Sequence, residues 1–221
     1  MSDIAETNKT FTLGTPDLVC RWRLAGGRLP LENRHLRALG RRHLQGQAMD
    51  PALVAWAKQH IEWTLREGSQ EHPDGILMII VDDQGQAAMT VGPYEGLPGQ
   101  TLADLRRRAQ AARAEGRETG LAPETLWVLR EGVLYWGLDE GATPSGAASL
   151  VEDLARTLGL PVERSASLLD DLGTGLLTVE EAFLVSDEHG VVPASDASGE
   201  EGASFRAGYD RLLRKTRNQG R

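Results

Sequence analysis

Residues 124–158, ETLWVLREGVLYWGLDEGATPSGAASLVEDLARTL, hold the order of elements that decides the fold. Two apolar runs within residues 124–138 are predicted to be strands, and Arg130-Glu131-Gly132 between them is typical of a tight hairpin turn. A Gly-Ala-Thr loop at residues 141–143 follows. An amphipathic helix is then predicted from Ser145 to Leu158, ended by Gly159. This hairpin, loop and helix predict a chain of mixed α/β character.

The segments on either side continue the mixed pattern of apolar periods of two and of three to four residues. The further predicted elements are, in chain order, a strand over 18–24, helices over 31–43 and 50–68, strands over 75–81 and 86–91, a helix over 101–117, a short strand and a helical turn within 160–172, a strand–turn–strand over 180–195 and a helix over 205–219.

The Gly/Pro-rich stretch at residues 92–99, GPYEGLPG, is typical of a connector and is the predicted domain boundary. The sequence therefore predicts a flexible arm over 1–14 and a small α/β domain over 15–95. A larger C-terminal domain over 96–221 follows, with an interdomain cleft between the two.

The 221-residue chain carries a formal net charge of −8, which disfavours binding to the phosphates of nucleic acid. Its single cysteine, Cys20, excludes an intrachain disulfide, and no cysteine-based metal site is expected. The polar N-terminus does not resemble a signal peptide, and the longest apolar run is too short for a membrane span. We therefore expect a cytoplasmic protein without membrane or nucleic-acid partners.

The ordered series of motifs resembles the class IV aminotransferase fold, the fold of branched-chain and D-amino acid aminotransferases and of aminodeoxychorismate lyase. The loop GAT, the helix ending LGLPVE and the strand pair AFLVSDEHGVVPAS carry the resemblance in the C-terminal half. In the N-terminal half, Arg23, Gly27 and the stretch His35-Leu36-Arg37-Ala38-Leu39 match by spacing. The resemblance implies a small α/β domain, a larger barrel-like domain and a homodimer.

The resemblance also implies pyridoxal 5′-phosphate, bound by a Schiff-base lysine, a phosphate-binding arginine and a loop of the Gly-Ile-Thr-Arg type. This sequence departs from that pattern at each point. Ala38 stands at the arginine position, Pro144 ends the loop, and Arg106 stands at the nearest match to the lysine. An arginine stays protonated and cannot form the Schiff base. The expectation at this stage is that no cofactor and no metal is bound, pyridoxal phosphate having been lost.

Six residues are predicted to contact an anionic small-molecule substrate: Arg23, Arg106, Thr143, Ser145, Ser186 and Asp187. A guanidinium suits a carboxylate, and Arg106 and Asp187 are also the catalytic candidates. Five of the six have a structural alternative: a salt bridge for Arg23, a solvated helix face for Arg106, helix caps for Thr143 and Ser145, and turn chemistry for Asp187. Tyr94 in the connector is a candidate lid residue.

The functional hypothesis from the sequence is a diverged class IV aminotransferase-like transferase or lyase of biosynthesis. It would act without pyridoxal phosphate on an amino-acid- or keto-acid-like molecule of specialised metabolism, in the interdomain cleft. Two alternatives remain open. One is a non-catalytic binding or partner homologue that retains the dimer scaffold. The other is a pyridoxal-phosphate-dependent aminotransferase or aminodeoxychorismate lyase-type enzyme, if the motifs align differently.

Overall fold

The computed structural model describes residues 13–175 and 177–219, so most of the predicted arm over 1–14, with Lys9, lies outside the described residues. In this part of the chain ten strands and six helices follow one another. Their bounds, in chain order, are β1 (Pro16–Arg23), α1 (Glu32–Leu39), β2 (His43–Leu44), β3 (Gln47–Ala48), α2 (Pro51–Gly68), β4 (Ile76–Asp82), β5 (Ala87–Gly92), α3 (Leu102–Thr119), β6 (Glu124–Arg130), β7 (Val133–Trp136), α4 (Gly146–Thr157), β8 (Val162–Arg164), α5 (Leu168–Gly173), β9 (Glu181–Ser186), β10 (Gly190–Pro193) and α6 (Glu200–Asn218).

The first sheet is antiparallel and has the strand order β1-β4-β5. Leu18, Cys20 and Trp22 alternate along β1 and are buried, as the period of two predicts. They pack in one core with Leu39 of α1 and Ile61 of α2. The apolar face of β1 thus fixes both helices of the first sheet.

The second sheet has five strands in the order β10-β9-β6-β7-β8, antiparallel except for the parallel pair β7 and β8. Strands β10 and β8 are its edges, so the sheet is open. The described residues contain no closed barrel, although the resemblance implies a barrel-like domain.

Helices cover both faces of the second sheet, which explains why its strands are apolar on both sides. Trp127 of β6 stacks on Trp136, with ring centroids 4.4 Å apart, in the core formed with α4 and α6. Leu126 and Val128 face the opposite core, which includes Leu105 of α3 and residues of α5. The central residues Leu126, Trp127 and Val128 of β6 therefore alternate between the two cores.

Several predicted helix starts are confirmed by their capping contacts. Asp50 precedes Pro51 at the start of α2, and its carboxylate accepts the Ala52 N–H at 2.8 Å. Thr101 and Asp104 form a capping box at the start of α3.

Helix α1 is shorter than predicted, because the chain turns into a hairpin that the sequence analysis did not anticipate. The helix ends at Leu39, capped by Gly40, instead of continuing to His43. Strands β2 and β3 then pair through Gln45 and Gly46, whose φ angles of 50° and 74° are both positive. Two positive φ angles in a two-residue loop are the geometry of a type I′ hairpin.

Polar contacts join the two sheets. The Arg23 N–H at the end of β1 donates to the Asp187 carbonyl at 3.0 Å. Arg42, which is buried, donates from Nη1 to Glu115 and to Thr119 of α3, each at 3.0 Å. The division into domains over 15–95 and 96–221 stays a prediction. Among the described helices, none has the length and apolar character needed to cross a membrane.

Candidate functional site

The end of β1 meets the turn between β9 and β10, and we call this region the inter-sheet cleft. Arg23 is the last residue of β1, and its guanidinium carbon lies 3.3 Å from the centroid of the Tyr94 ring, a cation–π contact. Its Nη1 is buried and has no hydrogen-bond partner among the described residues. The pKa of Arg23 lies below its usual value because of burial, which outweighs the opposing effect of Tyr94. The site therefore holds a buried guanidinium nitrogen with a free donor.

His189 in the β9–β10 turn is a neutral imidazole. Burial lowers its pKa to about 4, with Arg108 acting in the same direction and Glu124 opposing it. Its Nε2 lies 3.2 Å from Nη2 of Arg108. A guanidinium can only donate, so Nε2 accepts and Nδ1 carries the proton. That Nδ1 is buried and, within the described part of the chain, unpartnered.

Glu124, the first residue of β6, holds the polar network together. Arg108 of α3 donates to both of its carboxylate oxygens, from Nε at 3.0 Å and from Nη2 at 2.8 Å. The Ser186 hydroxyl donates to the same carboxylate at 3.0 Å. In turn the Ser186 oxygen accepts the N–H groups of Glu188 and His189, each at 3.1 Å. The network fixes the turn that carries His189.

Two cavities border this turn. The first, about 240 Å³ in volume, is lined by residues that include Arg23, Tyr94 and His189, and we call it the Arg23 cavity. The second, about 220 Å³, is lined by residues that include Arg21 and Glu124, and we call it the Arg21 cavity. His189 lines the Arg23 cavity, while Glu124, 3.9 Å from its Nε2, lines the Arg21 cavity.

Asp187 is buried between the sheets at the start of α4. Its Oδ1 accepts the Ala147 N–H at 2.7 Å, and its Oδ2 lies 3.5 Å from Nδ1 of His35. Burial raises the pKa of Asp187, but His35, the Ala147 amide and Arg42 outweigh burial and hold it below its usual value. Asp187 is therefore a carboxylate that caps the helix from a distant turn.

The structure brings together most of the residues that the sequence predicts for the site. Arg23, Ser186 and Asp187 meet in the inter-sheet cleft. Ser145 caps α4 by accepting the Ala148 N–H at 3.3 Å, its structural alternative, and lies close to Asp187 in the same helix start. Thr143 is half-buried in the loop leading into α4. The functional roles predicted for these residues stay predictions.

Arg106 does not join this group. Its Nε donates to the Leu169 carbonyl of α5 at 2.7 Å. The guanidinium packs so closely on Gly173 that an added Cβ there would meet its Nη2. Arg106 thus connects α3 to α5, and it lines neither the Arg23 cavity nor the Arg21 cavity.

Arg108, Glu124 and His189 are not among the residues that the sequence predicts for the site. Arg108 pairs with the buried Glu124 in the cleft. The available signal was its position three residues after the buried Leu105, which places it beside the apolar stripe of α3. Glu124 and His189 gave no comparable signal.

No protein-family model and no curated protein matches the chain. Solved structures do match it in fold. They include a fold IV transaminase from Curtobacterium pusillum, with a TM-score of 0.59, 15% identity and coverage of 91% of this chain and 85% of that one. A 4-amino-4-deoxychorismate lyase from Pseudomonas aeruginosa has a TM-score of 0.56, 16% identity and coverage of 88% and 90%.

A third match corrects the expectation about cofactors. It is the pyridoxal-phosphate-bound form of a hypothetical aminotransferase from Mycobacterium tuberculosis, with a TM-score of 0.58, 14% identity and coverage of 97% of this chain and 96% of that one. The expectation that no cofactor accompanies the chain is wrong when judged by this fold, which carries pyridoxal phosphate in a solved example.

The two lysines in the described part of the chain do not fit the Schiff-base arrangement that the resemblance implies. Lys58 on α2 and Lys215 on α6 are exposed, and neither lines the Arg23 cavity or the Arg21 cavity. The Ala147 amide at the start of α4 is already engaged by Asp187. What the comparisons establish is the architecture: the chain has the class IV aminotransferase fold.

Proposed function

We propose that the chain binds a small carboxylic acid of the amino-acid or keto-acid type in the inter-sheet cleft. The observation that carries the proposal is the buried, unpartnered Nη1 of Arg23, a residue that lines the Arg23 cavity. A buried donor without a partner costs free energy, and a ligand carboxylate would satisfy it with a charge-assisted hydrogen bond. Tyr94 covers the guanidinium and excludes water from one side.

Proteins of this fold lend general support to the proposal. One solved form of the Mycobacterium tuberculosis aminotransferase, with a TM-score of 0.53 and 14% identity, holds α-ketoglutarate together with the pyridoxamine form of the cofactor. A transaminase and a lyase are also among the similar structures. Pyridoxal phosphate therefore belongs among the ligands to test.

The test is a thermal-shift series of amino acids and 2-keto acids on the full chain, each measured with and without pyridoxal phosphate. A ligand at 100 times its Kd stabilises the folded state by about 2.7 kcal/mol. The visible absorbance of the same samples reports whether pyridoxal phosphate is bound.

Arg23→Ala should weaken binding of the active acid by roughly 10- to 100-fold, because a charge-assisted hydrogen bond contributes about 1.5–3 kcal/mol. Arg21→Ala is the matched control. It removes the same side chain two residues earlier on the same strand, from the Arg21 cavity. Equal shifts in wild type and Arg23→Ala, or no shift with any acid, would contradict the proposal.

A further inference from the structure

We infer that the Arg23 cavity selects a short aliphatic monocarboxylate, whose two oxygens lie between the guanidinium of Arg23 and the imidazole N–H of His189. This inference rests on the proposed function. It adds the net charge and the shape of the ligand, and it names a second hydrogen-bond donor of the protein.

The donors come in a pair. Nη1 of Arg23 and Nδ1 of His189 are both buried, both belong to residues that line the same cavity, and both lack a partner among the residues described. The rings of Tyr94 and His189 also line this cavity. They contact each other, with ring centroids 5.7 Å apart. One carboxylate presents two acceptor oxygens, which matches two free donors.

The charges lining the cavity match a single negative charge. The charged side chains there are Arg23, Arg206 and Asp210, which sum to one net positive charge. His189 contributes no charge near neutral pH, because its pKa is lowered to about 4, mainly by burial. Tyr209 adds no negative charge, since burial raises its pKa. A dicarboxylate or a phosphate dianion would leave one charge uncompensated in a partly buried site.

Apolar side chains form part of the remaining wall, beside Gly96 and Gln100, and the space is limited. Leu97 of the connector, Val191 and Val192 of β10 and Leu213 of α6 line the cavity. Its volume of about 240 Å³ falls below the ~300–1,000 Å³ typical of sites for drug-sized ligands. A short hydrocarbon chain fits against these apolar side chains, and burying its methylene groups there favours binding.

The experiment measures binding of four probes to the full chain by calorimetry: butyrate, butyramide, succinate and inorganic phosphate. We expect butyrate to bind at least roughly tenfold more tightly than each of the others, the equivalent of about 1.4 kcal/mol. Butyramide keeps the shape and removes the charge, while succinate and phosphate change the charge. This comparison needs no variant, so it holds even if a substitution prevents folding.

Two His189 variants test the second donor. His189→Leu removes the N–H and should weaken butyrate binding by roughly tenfold. His189→Gln supplies an amide N–H and should restore most of the affinity. Tight binding of phosphate or succinate would overturn the inference, as would unchanged butyrate affinity in His189→Leu.

The outcomes separate this inference from the proposed function. If amino or keto acids bind in an Arg23-dependent way but His189→Leu has no effect, the proposed function stands and the inference fails. If no acid binds at all, both fail.

Discussion

At the scale of single residues, His189 shows how a neutral side chain is maintained in a charged environment. Its ring lies among Arg108, Glu124 and Glu188, with both carboxylates 3.9 Å from Nε2. Carboxylates favour the protonated form, but burial and the nearby arginines outweigh them. The result is an imidazole that keeps one donor and one acceptor across the neutral range.

The lowered pKa of His189 predicts an acid-dependent loss of stability. The unfolded state takes up a proton near pH 6.5, while the folded state does so only near pH 4, so the free energy of unfolding falls as the pH drops between these values. The difference corresponds to about 3 kcal/mol. Urea unfolding between pH 7.5 and about 4 should show this slope.

His189→Gln should flatten the pH dependence in that window, whereas His43→Gln, which changes an exposed histidine, should leave it in place. An identical slope in wild type and His189→Gln would show that other groups are responsible.

Arg106 and Arg108 mark the limit of sequence analysis at this scale. The interpretation of the helix period placed Arg106 beside the apolar stripe of α3 and Arg108 pointing away from it, and it did not say what either side chain would meet. Arg106 meets the Leu169 carbonyl, and Arg108 meets Glu124. Those partners come from α5 and β6, and only tertiary packing brings them to α3. A position on a helix face is local information, whereas a contact partner is not.

At the scale of elements, the start of α4 is built on a glycine that leaves room for His35. A Cβ placed on Gly146 would lie within 2.4 Å of Nδ1 of His35, whose ring stacks on Trp22 at a centroid distance of 5.0 Å. The first turn of α4, the ring from α1 and the strand β1 therefore fit together only without a side chain at that position.

Gly146→Ala should lower the free energy of unfolding by about 1–3 kcal/mol through overpacking. Gly208→Ala is the matched control, because Gly208 lies inside α6 and an added Cβ there meets nothing within 4 Å. It should stabilise the protein by about 0.5–1 kcal/mol through helix propensity. Urea denaturation of both variants checks the opposite signs, and a loss of stability in both would contradict the packing argument.

Most elements could be predicted because their signals are local. The β6–β7 turn at Arg130-Glu131-Gly132, the cap at Ser145 and the Asp50-Pro51 helix start all lie where expected. The β2–β3 hairpin was missed, since its strands have two residues each and give no periodic pattern. Gln45 also has a positive φ angle, which is uncommon for a residue other than glycine and so could not be predicted from its type.

At the scale of the whole molecule, polar contacts connect the first sheet and its helices to the second. The Arg42 side chain reaches from the region after α1 to α3, is 3% exposed, and contacts Glu115 and Thr119. Asp187 makes a second bridge, between β1 and α4. The Asp187 bridge also holds the end of β1, which carries Arg23, so the geometry of the site depends on it.

Arg42→Ala should destabilise the protein by about 1.5–3 kcal/mol, because it removes a buried charge-assisted hydrogen bond. Arg41→Ala, the exposed neighbouring arginine, should change stability by less than about 0.5 kcal/mol. Tryptophan fluorescence during urea unfolding is a suitable measurement, since both sheets contain tryptophans. Equal free energies of unfolding for the two variants would show that the Arg42 contacts do not stabilise the protein.

The site itself could be predicted only in part. Arg23, Ser186 and Asp187 were found because the resemblance ties them to motifs. The network of Arg108, Glu124 and His189 was not, because its members lie on α3, β6 and the β9–β10 turn. Side chains separated by tens of residues meet only through the strand pairing of the second sheet.

The segment between β5 and α3 links the two sheets and also walls the Arg23 cavity, through Tyr94, Gly96, Leu97 and Gln100. The same few residues thus serve both as the linker between the sheets and as part of the cavity wall. A change in the conformation of this linker would therefore alter the wall of the Arg23 cavity as well as the connection between the sheets. A protease that cuts this segment would therefore sever the covalent link and dismantle the cavity in one event.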